Sequence, residues 1–248
     1  MPPKILSKLR ARLRSKRSDP ESISPDDVEK FFGNLANENA ELVHSIFSEI
    51  EAAELVFDIG ANAGYFSKAI LAQGFKGKIY LFEPVPNLHE ISKQNLEAYS
   101  SQTEFFNTAL GNEDGTIPLY LPHDDNIGWI TAVGEKAKSN RQITAAISST
   151  APLIERYKPG FLKIDVEGFE SFILEPLSQA VRPRYKPAIF IELGWGVSNP
   201  HWPSTVDSLR RLEAKGYRAF DPREQGREIP MDTLVAIRQT VDILLKAA

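Results

Sequence analysis

From residue 54 onward the apolar positions follow two rhythms. Short runs at Glu54–Ile59, Lys78–Phe82, Glu104–Thr108, Phe161–Ile164, Ala188–Leu193, Tyr217–Phe220 and Thr233–Ile237 have the length and side-chain content of strands. Between them, residues 64–73, 87–99, 168–178 and 204–215 repeat apolar side chains at the spacing of one helix face. This alternation predicts an α/β fold with a mostly parallel, doubly wound sheet, right-handed crossovers and ligands at the carboxyl ends of the strands. Functional residues are therefore expected just after strands.

The rhythm breaks between residues 112 and 147. Gly115–Leu121, Gly128–Val133 and Gln142–Ile147 read as short strands separated by turn residues, which predicts a small β insertion after the third strand, placed to cover a site. Upstream, Ser24-Pro25-Asp26-Asp27 combines a capping hydroxyl, a first-turn proline and two acids, a helix start that predicts one or two helices over 25–50. One domain over 25–248 is expected behind a basic tail and linker at 1–24. The first 17 residues hold seven Lys or Arg and no acid, with Ile5, Leu6, Leu9 and Leu13 at helical spacing. Such a segment suits either peripheral contact with an anionic membrane surface or a solvated tail.

Composition narrows the partners. In 248 residues, 42% apolar content suffices for one sizeable core. A net charge of −4 and a pI near 5.7 lack the basic excess of a nucleic-acid binder, so small or neutral partners are expected and no nucleic acid. The absence of cysteine removes disulfides, thiolate zinc and a cysteine nucleophile. The apolar runs fall well short of the roughly 18–20 residues of a spanning helix. A cytoplasmic location is expected.

Residues 55–67 read LVFDIGANAGYFS, a strand ending in Asp58 and followed by Gly60, Asn62 and Gly64 before a helix. Glycines let the backbone turn with positive φ and approach a ligand, and the helix start offers free amides. A dinucleotide loop needs a second glycine to admit the pyrophosphate, but Asn62 occupies that middle position. S-adenosylmethionine, which has an amino-acid end and a sulfonium but no phosphate, suits the loop better. Asp58 then faces its amino-acid end or, alternatively, caps the loop. In YLFEPVPN (80–87), Glu83 ends the next strand 19 positions past Gly64, where a carboxylate accepts both ribose hydroxyls. FFNTALG (105–111) brings Asn107, Thr108 and Ala109 towards an adenine edge, unless the Asn107 amide bonds its own backbone. FLKIDVEGFE (161–170) delivers Asp165 and Glu167 at a carboxyl edge, ahead of a helix start that by itself favours acids.

In this order and spacing, GANAGYFS, FEPVPN, NTALG and KIDVEGFE, within residues 55–195, resemble the FkbM family of S-adenosylmethionine-dependent methyltransferases. The resemblance implies a Rossmann-like class I methyltransferase fold and O-methylation of a hydroxyl on a sugar, glycan or natural product. It further implies that Asp58, Gly60, Asn62, Gly64 and Glu83 line the cofactor, that Asn107 and Ala109 approach the adenine, and that Asp165 and Glu167 face the reacting centre. Gly128-Trp129-Ile130-Thr131 and Gly194-Trp195-Gly196 depart from the family's usual look, and both fall where an acceptor would bind.

Methyl transfer from a sulfonium is an in-line displacement, helped by alignment and by a general base. Glu167 is the expected base, with Asp165 positioning substrate or cofactor; Glu192, His123 and His201 are the other candidates. Asp124, Asp125, Asp165 and Glu167 are hard oxygen donors without a strict ligand spacing, so no metal is predicted. Trp129, Trp195 and Trp202 are expected around the mouth, where indole faces suit sugar rings or flat aglycones. Two rival functions share parts of this pattern. A nicotinamide-dependent oxidoreductase would use the loop and Glu83 but not the Asp165/Glu167 pair, and a non-catalytic scaffold would keep only the fold.

Overall fold

The computed structural model describes residues 35–121, 130–137, 141–224 and 226–247. The basic tail, the linker, the helix start at 24–27, and His123, Asp124, Asp125 and Trp129 lie outside these residues. Among the described residues no helix is long and apolar enough to cross a membrane.

Helix α1 (Leu35–Glu51) leads into β1 (Leu55–Ile59), α2 (Tyr65–Ala72), β2 (Lys78–Phe82), α3 (Pro86–Asn95) and β3 (Thr103–Phe106). A small sheet of β4 (Ala109–Gly111), β5 (Gly115–Tyr120) and β6 (Gln142–Ser149) follows. The chain then runs through α4 (Thr150–Tyr157), β7 (Phe161–Ile164), α5 (Ser171–Ala180), β8 (Ala188–Leu193) and α6 (Trp202–Ala214). It ends with β9 (Tyr217–Phe220), β10 (Glu228–Ile229), α7 (Met231–Leu234) and β11 (Val241–Ala247). The main sheet has the order β10-β9-β11-β8-β7-β1-β2-β3. Strands β3, β2, β1, β7 and β8 are parallel, and β11 runs antiparallel between β8 and β9. This is the Rossmann-like arrangement of class I methyltransferases. The order reverses between β1 and β7, so the helices that follow these two strands pack on opposite faces of the sheet, and a site is expected at the strands' carboxyl ends.

Strand alternation divides the core into two layers. Val56, Ile79, Leu81, Phe161 and Phe190 pack with α1 and α2, while Phe57, Phe82, Leu162, Ile189 and Ile191 pack with α4, α5 and α6. Both faces are covered, which is why the parallel strands read as nearly unbroken apolar runs.

Several expectations change along the chain. Thr233–Ile237 is not a strand: Pro230 begins a helical turn over Met231–Leu234, and the sheet slot between β8 and β9 is filled by Val241–Ala247 instead. Both segments are apolar, and pairing on two sides decides which becomes the strand. The insertion starts earlier than expected, with β4 at Ala109, and its last strand hands over to a helix at Thr150–Tyr157 that the periodicity did not predict. Within it, Thr131 bridges Tyr120 as expected of a short strand. The helix expected over 87–99 ends at Asn95 and continues as a short 3-10 turn at Glu97–Tyr99.

Phe161 is fully buried at the centre of the sheet. Phe161→Ala should lower the unfolding free energy in urea by about 3–5 kcal/mol, the range for deleting a core aromatic; a loss below about 1 kcal/mol would show that the layer around it is loosely packed.

Candidate active site

The loop after β1 is shaped by contact with the loop after β7. Gly60 has φ 74°, and a Cβ there would lie 1.9 Å from the Asp165 carbonyl oxygen, so only glycine permits the approach. The Gly60 and Ala61 amides donate to the Phe82 carbonyl at 3.0 and 3.1 Å, which ties the loop to the end of β2. Asn62, also left-handed at φ 51°, donates its backbone N–H to Glu83 Oε2 at 2.7 Å and accepts the Ala63 amide on Oδ1 at 2.7 Å. Gly64 precedes α2 as its N-cap at φ 80°.

Glu83 is 5% exposed, and its second oxygen accepts the Val85 amide at 2.9 Å. Burial pushes its carboxyl up to about 7, against the pull of the Val85 and Asn62 amides and of Lys163. The exposed Asn107 donates its side-chain amide to the Glu83 backbone carbonyl at 2.9 Å.

Beneath the loops lies an ion pair that sequence reading did not assign. Asp58 and Lys163 are register partners on adjacent parallel strands and therefore point to the same face. Their charged atoms are 3.3 Å apart, and both residues are buried. Lys163 Nζ also donates to the Gly60 carbonyl at 2.5 Å and stands 3.6 Å from Asp165. Burial alone would lower the lysine's pKa, but Asp58 and Asp165 hold it above its ordinary value. Asp58 also accepts the Ser67 hydroxyl at 2.6 Å, fixing the start of α2. Asp58 thus sits under the loop. The signal was a lysine inside FLKI, a strand buried throughout.

Past β7 the backbone turns left-handed at Glu167 (φ 49°) and Gly168 (φ 95°). Three neighbours hold this turn. The Thr131 hydroxyl donates to the Glu167 carbonyl at 2.6 Å, the Gly168 amide donates to Glu170 Oε1 at 2.7 Å, and Asn199 Nδ2 donates to the Gly168 carbonyl at 2.9 Å. A Cβ at Gly168 would lie 2.2 Å from the Trp195 ring, so the indole lies against this glycine. Asp165, Glu167 and Glu192 each bring one carboxylate oxygen within 4.8 Å of the others, a spacing that a hard cation could span. Glu192 was foreseen beside Asp165 and Glu167 as a carboxylate that a strand end brings to the site. Burial, then the charges of Asp165, Asp242 and Glu170, raise its pKa well above the ordinary carboxylate value.

The two loops, the end of β2 and the insertion enclose a cleft of about 730 Å³, measured with its open mouth. Gly60, Asn62, Glu83, Ala109, Asp165 and Glu167 line it; the other expected residues, Asp58, Gly64 and Asn107, are not among its lining. Of the other candidates, His201 packs edge-on to Phe172 with ring centroids 4.8 Å apart. Trp202 is a core residue whose indole N–H donates to the Val235 carbonyl at 3.0 Å, so it does not face the mouth. Thr131, Lys163, Glu170 and Asn199 are the residues of the site's framework that the sequence did not reveal.

Glu170 is 2% exposed, and burial raises its carboxyl from the ordinary 4.5 to about 7. In the unfolded chain this group ionises first as pH rises, so its contribution to stability is full below pH 4.5 and is lost as pH climbs through about 7. Glu170→Gln removes the titration. The urea stability of the variant should therefore gain on the parent by on the order of 2–3 kcal/mol between pH 4.5 and pH 8; a difference that does not change with pH would contradict this.

The sequence model of the methyltransferase FkbM domain family matches residues 58–219. No curated protein sequence matches at a significant level. Among solved structures, an O-methyltransferase family protein from Burkholderia thailandensis superposes with a TM-score of 0.50 at 11% identity, over 98% of this chain and 62% of that one. A precorrin-6y C5,15-methyltransferase from Geobacter metallireducens GS-15 gives 0.45 at 10% identity, over 87% and 88% of the two chains. At such identities the likeness is one of fold. The family match spans more than half of the residues and includes the β1 loop, Glu83 and the Asp165–Glu170 turn, and on that ground the chain belongs to the FkbM methyltransferase family.

Proposed function

We propose that this methyltransferase takes its methyl group from S-adenosylmethionine and delivers it to a hydroxyl of a sugar, glycan or natural-product acceptor. The observation that carries this reading is one cleft in which a buried carboxylate, Glu83, shares the lining with the Asp165/Glu167 pair. Glu83 suits the ribose diol, since a carboxylate accepts from both hydroxyls. The Gly60–Asn62 backbone suits a ligand that approaches closely and carries no phosphate. An acidic edge suits the sulfonium and ammonium cations of the cofactor.

Glu167 is the base in this scheme. As the acceptor oxygen attacks the methyl carbon, the carbon–sulfur bond breaks, the sulfonium becomes a neutral thioether, and the hydroxyl proton passes to Glu167. Burial, with the charge of Asp165, raises the pKa of Glu192 and so favours its holding a proton at this acidic edge. Asp165, paired with Lys163, positions the cofactor or substrate. The net charge of −4 fits an uncharged or small partner better than a nucleic acid.

Calorimetric titration should detect S-adenosylmethionine and S-adenosylhomocysteine but not NAD, and Glu83→Ala should weaken both by at least tenfold. Binding of NAD alone would turn the reading to an oxidoreductase, and no binding at all to a scaffold. Glu167→Gln should bind S-adenosylhomocysteine normally yet transfer the methyl about 10²–10⁴-fold more slowly, as expected for loss of a general base. Full turnover in that variant would remove Glu167 from the role.

A further inference from the structure

At the edge of the sheet opposite the cleft, basic side chains gather without a matching set of acids. The cleft lies at the carboxyl ends of β1, β2 and β7, and β8 runs parallel to β7. Strand β11 is antiparallel to both β8 and β9, so β9 runs the same way as β8. The segments that enter these two strands, VRPRYKP (181–187) and Lys215-Gly216, therefore share the far edge. Strand β8 is six residues long, which sets that edge roughly 20 Å from the carboxyl ends.

Five cations meet there. Arg182, Arg184 and Lys186 are exposed. Lys186 Nζ comes to 3.7 Å from the place a Gly216 side chain would take, next to Lys215. Lys215 Nζ donates to the Ser178 and Val181 carbonyls at 2.7 and 2.8 Å, and Arg211 donates to the Ser178 hydroxyl at 2.9 Å. These donors close the last turn of α5 through neutral oxygens, so no acid offsets their charge. Burial, then the charges of Arg211 and Arg182, push the Lys215 pKa down. Among the described residues, only Arg182 of the five has an ion-pair partner, Glu155 at 2.7 Å. Glu213, close to Lys215 in the chain, pairs with Arg210 instead. Like charges crowded together cost stability through their repulsion, and an anionic partner would relieve it.

We propose that this patch docks the protein on an anionic lipid surface, with Arg182, Arg184 and Lys186 towards the headgroups. Exposed cations held side by side suit a surface of repeated negative headgroups, and each adds to the attraction. The first 17 residues, with seven Lys or Arg, no acid and apolar residues at helical spacing, suit the same surface, and attachment is firmer where two such signals act together. A nucleic acid fits the patch less well. Single strands are held by stacking bases on aromatic faces, and the aromatic residue of this segment, Tyr185, is half-buried with its hydroxyl donating to the Pro159 carbonyl at 3.2 Å. Docked in this way, the protein turns its cleft away from the bilayer.

The test is co-sedimentation of the full chain with lipid vesicles. Wild type, the pair Arg184→Gln/Lys186→Gln and the pair Arg184→Glu/Lys186→Glu are each mixed with phosphatidylglycerol–phosphatidylcholine vesicles and with pure phosphatidylcholine vesicles, at low and high salt. Both positions are exposed, and thermal unfolding establishes that each protein is folded. Wild type should bind the anionic vesicles alone and lose that binding at high salt. The glutamine pair should bind on the order of tenfold more weakly, for two charges removed near the surface, and the glutamate pair more weakly still. Wild type that fails to bind the anionic vesicles, or binds the neutral ones equally, would overturn the proposal. So would undiminished binding by both pairs, since the first 17 residues would then carry the attachment alone. Tighter binding of wild type to a single-stranded RNA oligonucleotide than to the anionic vesicles, lost in the same pairs, would overturn it in favour of a nucleic-acid partner.

Discussion

The site depends on two loops of the same sheet being pressed together at the switch in strand order. Gly60 and Asp165 meet backbone to backbone, at a distance that excludes even a methyl group. Such an approach brings carbonyl dipoles and acidic side chains into one small volume. Lys163 offsets them from below, donating to the Gly60 carbonyl and pairing with both Asp58 and Asp165. A buried cation without partners would be costly, and so would these acids without it. The lysine, the glycine and the two acids therefore work as one unit: the fold brings the loops together, and the ion group fixes their spacing.

From that unit the remaining geometry follows. The β1 loop, once pinned, presents the Asn62 amide to Glu83, and Glu83 in turn accepts the Val85 amide at the start of α3. On the other side, Asp165 leads into a left-handed turn at Glu167 that no single bond would hold. Thr131, Glu170 and Asn199, from three different parts of the chain, restrain it. Strained backbone at a non-glycine residue costs of order 1–3 kcal/mol and persists where the surroundings over-determine it. Here the restraint comes partly from the insertion, so the element that walls the cleft also steadies the proposed base.

Much of this was legible in the sequence, for identifiable reasons. The parallel strands are buried on both faces, so LVFDI, KIYLF, FLKI and AIFIEL stand out as apolar runs, and residues that line the cleft fall at or directly after their ends. Gly60, Asn62, Glu83, Ala109, Asp165 and Glu167 were accordingly foreseen and share the cleft lining. The framework residues were less visible. Lys163 matters through its register with Asp58 across more than a hundred residues, and Asn199 and Thr131 act through backbone carbonyls that carry no sequence signature. The last strand was misplaced because Thr233–Ile237 and Val241–Ala247 are similarly apolar, and only the slot between β8 and β9 separates them. Trp202 was expected at the mouth from its place after a strand, yet its indole N–H finds a carbonyl inside the core.

The central claim is that the paired loops and Glu83 form a nucleoside site with the acidic edge at its reacting end. A crystal structure of the protein with S-adenosylhomocysteine bound tests it directly. The account predicts density in the cleft with the ribose diol on the Glu83 carboxylate and the sulfur beside the Asp165–Glu167 turn. A ligand bound elsewhere, or lying in the cleft with its diol away from Glu83, would contradict it.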